Sequence, residues 1–180
     1  REHVDRASFE RVLSTTIDAF EPDLLLLAGF MRVLTPEFVR RYRARMLNIH
    51  PSLLPDHRGL DTHAKALARG DRSHGASVHV VTPELDAGPV IAQIVVPVLA
   101  EDDPESLAAR VQQGEHLLYP TVLTWYANGR LELGDEAVRL DREVLPATGV
   151  RFALGDSTAF PSRCNALRDT LSLSDSSEVP

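Results

Sequence analysis

Apolar residues recur at helical spacing through Phe9, Val12, Leu13, Ile17 and Phe20, which predicts an amphipathic helix capped by Ser8 and broken at Pro22-Asp23. Leu24 to Ala28 is a continuous apolar run closed by Gly29, the pattern of a strand buried on both faces of a parallel sheet. Thr35-Pro36-Glu37 has the chemistry of a helix start, and the short helix behind it is rich in arginine: Arg40, Arg41, Arg43 and Arg45. Met46 to Ile49 reads as the next strand. Residues 52–61 follow Pro51, contain Pro55 and Gly59, lack periodicity and read as a loop. Asp61 or Thr62 can cap a helix running to Arg69, which Gly70 closes. Ser77 to Val81 alternates as a strand, Leu85 to Pro89 is a turn, and Val90 to Val98 is a β-branched strand, so the two strands form a hairpin-like pair. Asp103-Pro104-Glu105 opens the longest helix, residues 104–127, with Leu107, Val111, Leu118, Val122 and Trp125 facing the core. Gly129 ends it, and Leu131 to Leu140 reads as a small polar hairpin. The pattern weakens beyond Ala147. Residues 1–147 are therefore expected to form one domain, and 148–180 a tail, partly disordered, with a serine-rich and acidic end from Leu171 to Pro180.

The alternation of strands and helices predicts an α/β fold with a mostly parallel sheet flanked by helices. Ligands bind such sheets beyond the carboxyl ends of the strands. Gly29-Phe30-Met31-Arg32, Asn48-Ile49-His50 and the turn at Asp86 all follow strands and are expected to converge there. The 19 basic and 26 acidic side chains leave a net charge of −7, which argues against nonspecific nucleic-acid binding. No run of 18 apolar residues occurs, so no membrane-spanning helix is expected. A single cysteine, Cys164, excludes an internal disulfide framework and a cysteine metal cluster, and fits a reducing, cytoplasmic setting. The histidines form no His-Glu-x-x-His motif, and no metal is expected. The chain begins at Arg1 with no targeting segment in view, as a processed or incomplete product would.

Asn48-Ile49-His50-Pro51 is the most informative run. Residues two apart on a strand point the same way, so Asn48 and His50 present an amide and an imidazole to one point. Pro51 disfavours the helical region for His50 and holds it extended. An amide donor beside a group that can carry a proton near neutral pH suits stabilisation of a developing oxyanion. The plain alternative is a strand end with two polar residues. For Asp86 it is a turn carboxylate.

Several ordered motifs make the reading sharper. Leu27-Ala28-Gly29-Phe30-Met31-Arg32, Leu47 to Pro55, His74 to His79 and Glu84 to Ile91, with Gln112, Glu115 and His116 on the long helix, resemble the phosphoribosylglycinamide formyltransferases over roughly residues 5–140. The resemblance implies a Rossmann-like formyltransferase fold. It also implies transfer of a formyl group from 10-formyltetrahydrofolate to the amine of glycinamide ribonucleotide, in purine biosynthesis, without a metal. Asn48, His50 and Asp86 would be catalytic. Phe30, Met31, Arg32, Leu34, Val39, Leu47, Asn48 and Asp86 would bind the folate. Arg6, Gly29, Met31, Gln112 and Glu115 would bind the nucleotide substrate. Within the wider superfamily the alternatives are a formyltetrahydrofolate hydrolase and a methionyl-tRNA formyltransferase; outside it, an inactive folate-binding fragment.

Departures from the family pattern also set expectations. Arg58 and Asp61 stand where members usually have proline and histidine, and Ala87 where glycine is common. The loop from Leu53 to Thr62 is expected to be a lid that orders on ligand binding. The family's first strands and its Gly-Ser-Asn phosphate-binding loop have no counterpart in this chain. The Leu24–Ala28 edge is therefore expected to be exposed, and residues 1–180 alone to aggregate or form a homodimer with little activity.

Overall fold

The computed structural model describes residues 5–155. Helix α1 (Arg6–Asp18) is followed by β1 (Leu25–Leu27), α2 (Pro36–Arg41), β2 (Met46–His50), α3 (Thr62–Arg69), β3 (Ser73–Val80), β4 (Val90–Pro97), α4 (Pro104–Ala127) and four short strands: β5 (Leu131–Glu132), β6 (Arg139–Leu140), β7 (Glu143–Val144) and β8 (Val150–Ala153). The main sheet runs β1-β2-β3-β4-β8, and β5-β6-β7 form a small second sheet.

The sheet is mixed rather than mostly parallel. Strands β1/β2 and β4/β8 are parallel, but β2/β3 and β3/β4 are antiparallel. The turn at Leu85–Pro89 joins β3 to β4 directly, and a connection that short can only produce antiparallel neighbours. Strand β8, where the sequence pattern weakens, adds to β4 after the α4 crossover and extends the main sheet past Ala147.

Helix α4 covers one face of the sheet. Its Leu107, Val111, Leu118 and Val122 are buried against Leu47, Ala76, Val78, Ala92 and Ile94. Asp103 and Ser106 close a capping box at its start, and Pro104 occupies the first turn, where no intrahelical N–H is needed. A smaller cluster of Phe38, Val39, Tyr42 and Met46 holds α2, with Leu13 and Ile17 of α1 packed on it.

Two expectations fail at the β1 edge. Strand β1 is not buried on both faces, since Leu26 is exposed. Helix α1 turns Leu13 and Ile17 inward but leaves Val12 exposed, and Phe20, two residues past its end, is exposed as well. Both elements lie at the sheet's end, and among the described residues no further layer covers them. Asp5 rather than Ser8 caps α1, because its carboxylate accepts from the Ser8 N–H at 2.7 Å. Unexpectedly, the most buried residue of α1 is Glu10, whose carboxylate accepts from the backbone N–H of Thr35, the α2 cap, at 2.7 Å and also bonds its hydroxyl.

Gly88, in the turn that carries Asp86, has no room for a side chain. A Cβ there would lie 1.9 Å from the Val80 carbonyl oxygen. Gly88→Ala should cost about 2 kcal/mol or more, as overpacking against rigid backbone does. Denaturant unfolding measures it, and the variant should also displace Asp86.

Candidate active site

Strand β2 supplies the centre of the site. Leu47 joins the core beneath α4, so Asn48 and His50 alternate onto the opposite face. Register pairs Asn48 with His79 and His50 with Ser77 on β3. The Asn48 Nδ2 lies 3.2 Å from His79 Nε2, and His79 Nδ1 lies 3.0 Å from the Val80 carbonyl oxygen. A carbonyl only accepts, so Nδ1 carries the ring hydrogen and Nε2 accepts from the amide. Burial pushes His79 down to about 4, which keeps the ring neutral at pH 7. His79 thereby orients the Asn48 amide, with the second N–H of Nδ2 left for a ligand.

Asp86 closes the group from the β3–β4 turn, where it adopts a left-handed φ of 49°. Its Oδ2 is 3.5 Å from His50 Nδ1, and its Oδ1 is 3.7 Å from His79 Nε2. Gly59 N–H donates to Oδ2 at 2.9 Å. On the other side of the ring, His50 Nε2 donates to the His57 carbonyl at 3.0 Å. Both His50 nitrogens thus face oxygen acceptors, Nε2 at hydrogen-bonding distance and Nδ1 across a longer gap. His50 and Asp86 are nearly buried, which strengthens their mutual attraction relative to water. The arrangement can hold a developing oxyanion with an amide and an imidazolium, and can move a proton along the His50–Asp86 pair. A cavity of about 470 Å³ opens from Asp86 and Arg58, past Pro89 and Val90, to the segment 135–147. That volume suits a small-molecule ligand.

Residues 2–123 match the sequence profile described as formyl transferase. This chain belongs to the formyl transferase family. It is 53% identical over 144 residues to the phosphoribosylglycinamide formyltransferase of Escherichia coli (strain K12), covering 80% of this chain and 68% of that protein. It is 45% identical over 127 residues to the enzyme of the same name from Haemophilus influenzae, covering 71% of this chain and 60% of that one. The solved phosphoribosylglycinamide formyltransferase of Coxiella burnetii superposes with a TM-score of 0.79 at 50% identity, over 84% of this chain and 71% of that one. The chain thus spans about two thirds of the length of its relatives.

The formyl transferase fold brings Asn48, His50 and Asp86 together, with His79 as a fourth member. The sequence pattern puts His79 in the strand Ser77 to Val81 and gives it no site role. Its role depends on register across β2 and β3, which no local pattern encodes. The other expected site residues are more dispersed. Among the expected folate-binding side chains, Leu47 is fully buried in the core and Val39 is buried in the α2 cluster, with Leu34 packed on it. Phe30 is half-buried, Met31 is 78% exposed, and Arg32 stacks over the Phe9 ring at 4.4 Å. Of the expected folate residues, only Asp86 lines the 470 Å³ cavity.

Among the expected nucleotide-binding residues, Arg6 opens α1 and is exposed, while Gly29 follows β1 at φ 64°. Gln112 is exposed on α4 and Glu115 is half-buried there. Burial raises the Glu115 carboxyl, with His116 pulling it back. One helical turn on, the Tyr119 hydroxyl donates to the carbonyls of Leu27, the last residue of β1, and Leu47, within β2, each at 3.1 Å. His63 lies on α3 with its Nδ1 3.2 Å from His74 Nε2. Among the described residues no group of three or more His, Cys, Asp or Glu could hold a metal ion, and no helix is long and apolar enough to cross a membrane.

The buried histidines predict acid sensitivity. Burial, then His63, push His74 down to about 4, like His79. Both values lie below the unfolded reference of about 6.5, so the native state resists protonation. Their stabilising contribution is complete above about pH 6.5 and is lost as pH falls toward 4. Unfolding free energy should therefore drop by a few kcal/mol from pH 7 to pH 4.5, and His74→Gln should flatten that slope. An unchanged slope would remove His74 from the account.

Proposed function

We propose that this chain carries the formyl-transfer chemistry of a phosphoribosylglycinamide formyltransferase, acting between 10-formyltetrahydrofolate and the amine of glycinamide ribonucleotide. The observation that supports the reading is the junction of Asn48, His50 and Asp86 on one face of the sheet. The amine attacks the formyl carbon, and the carbonyl oxygen becomes an oxyanion. The free N–H of Asn48 and the Nε2–H of His50 hold that oxygen. Asp86 orients His50, favours its doubly protonated ring, and helps carry the proton from the attacking amine to the leaving folate nitrogen through water. The half-buried Glu115 carboxyl, one helical turn before Tyr119, suits the ribose hydroxyls of the nucleotide, with Gln112 beside it. Arg32 suits the anionic end of the folate.

The test is co-substrate dependence. Purified protein is incubated with 10-formyltetrahydrofolate alone, with added glycinamide ribonucleotide, and with added methionyl-tRNA. Loss of the formyl group only when the ribonucleotide is present is the expected result. Equal release in its absence would make the protein a hydrolase and overturn the reading.

A further inference from the structure

Two of the three groups assigned to the chemistry, His50 and Asp86, are engaged by the backbone of one turn. The His57 carbonyl occupies His50 Nε2 at 3.0 Å, and the Gly59 N–H occupies Asp86 Oδ2 at 2.9 Å. A substrate oxygen that needs the Nε2–H of His50 must therefore compete with a peptide oxygen already seated there. The turn is in turn held by side chains that touch neither catalytic group. The His57 imidazole Nε2 lies 2.7 Å from Asp71 Oδ2. The other Asp71 oxygen takes Arg69 Nε at 2.6 Å, and Arg69 reaches across to Asp56 at 2.9 Å. The His57 and Asp71 side chains are only 9% and 14% exposed, so solvent screens their contact little. His57 itself sits at a left-handed φ of 50°, a conformation a free chain seldom holds.

We propose that His57 and Asp71 are positioning residues that latch residues 57–59 over the catalytic pair, making the His57 carbonyl a built-in competitor of the substrate oxygen. The proposal rests on the formyl-transfer reading for its kinetic consequence, but not for its structural one. Binding of the formyl donor must lift the carbonyl away, so part of its intrinsic affinity is spent on opening the turn. Weakening the latch lowers that penalty and leaves the reacting groups in place.

The test uses His57→Ala, which removes the imidazole, Asp71→Ala, which removes its acceptor, and His57→Gln, which keeps an N–H donor of similar reach. Amide hydrogen exchange reports on the Gly59 N–H in the ligand-free protein. Its protection should fall by roughly fivefold or more in both alanine variants and return toward the starting value in His57→Gln. Steady-state kinetics with the formyl donor should show KM lowered by about three- to tenfold in the alanine variants, with kcat changed by less than about twofold. A merely structural role would instead raise KM or depress kcat. Unchanged Gly59 protection in both alanine variants, or a KM that rises, overturns the latch. If the protein proves not to transfer formyl groups while Gly59 protection responds as described, the latch stands and the functional reading fails.

Discussion

Replacing His50 with alanine should lower turnover by at least ~100-fold and leave formyl-donor binding nearly unchanged, the signature of an interaction made only in the transition state. The ring is nearly buried, and its Nε2 is the hydrogen-bond donor that the turn at His57 now occupies. Nothing adjacent can replace it: His79 is held neutral by burial and spends its hydrogen on Val80. Single-turnover measurements with saturating substrates separate the chemical step from binding. A His50→Ala protein with near wild-type turnover would remove His50 from the reaction and leave Asn48 as the main donor.

Asp86→Asn should also cost on the order of 100-fold in turnover, for a different reason. The amide keeps the shape of the carboxylate and can still accept from the Gly59 N–H, so the turn retains its hydrogen bond. What disappears is the negative charge 3.5 Å from His50 Nδ1. With no charge opposite, the imidazole loses its partner and the proton loses its acceptor. The pH–rate profile should shift as well, because the charge facing the imidazole is gone. A variant with normal turnover and an unshifted profile would mean that Asp86 serves only to shape the turn.

Much of this architecture was legible in the chain because local chemistry dictates it. Helix α4 runs from Pro104 to Ala127 as its cap, first-turn proline and terminal glycine require. The cap at Thr35 and the strand leading to Asn48 and His50 were equally plain. Periodicity reports that a helix or strand has an apolar face but not what lies against it. For that reason Val12, Phe20 and Leu26 were expected inside and are exposed. Strand β8 escaped because four residues that alternate are too few to stand out. The convergence of Asp86 on His50 was expected from their places after strands, whereas their chemical roles came from the family resemblance. The grip of His79 on Asn48 and the approach of Gly59 to Asp86 depend on contacts between segments about 30 residues apart, and short-range patterns carry no information about them.

One row of the sheet bears on how such an active site can change over evolutionary time. His50, Ser77, Gln93 and Arg151 are register partners across β2, β3, β4 and β8. The Ser77 hydroxyl donates to the Ser52 carbonyl at 2.7 Å and accepts from the Leu54 N–H at 3.0 Å, while the Gln93 amide donates to the Leu54 carbonyl at 2.8 Å. The first residues after His50 are thereby riveted to strands that are themselves immobile in the core. Changes of side chain are absorbed farther out, at Arg58, Leu60 and Asp61, which are exposed. A lineage can change side chains there without disturbing the imidazole, whereas a change at Ser77 or Gln93 reaches the segment that follows His50 at once.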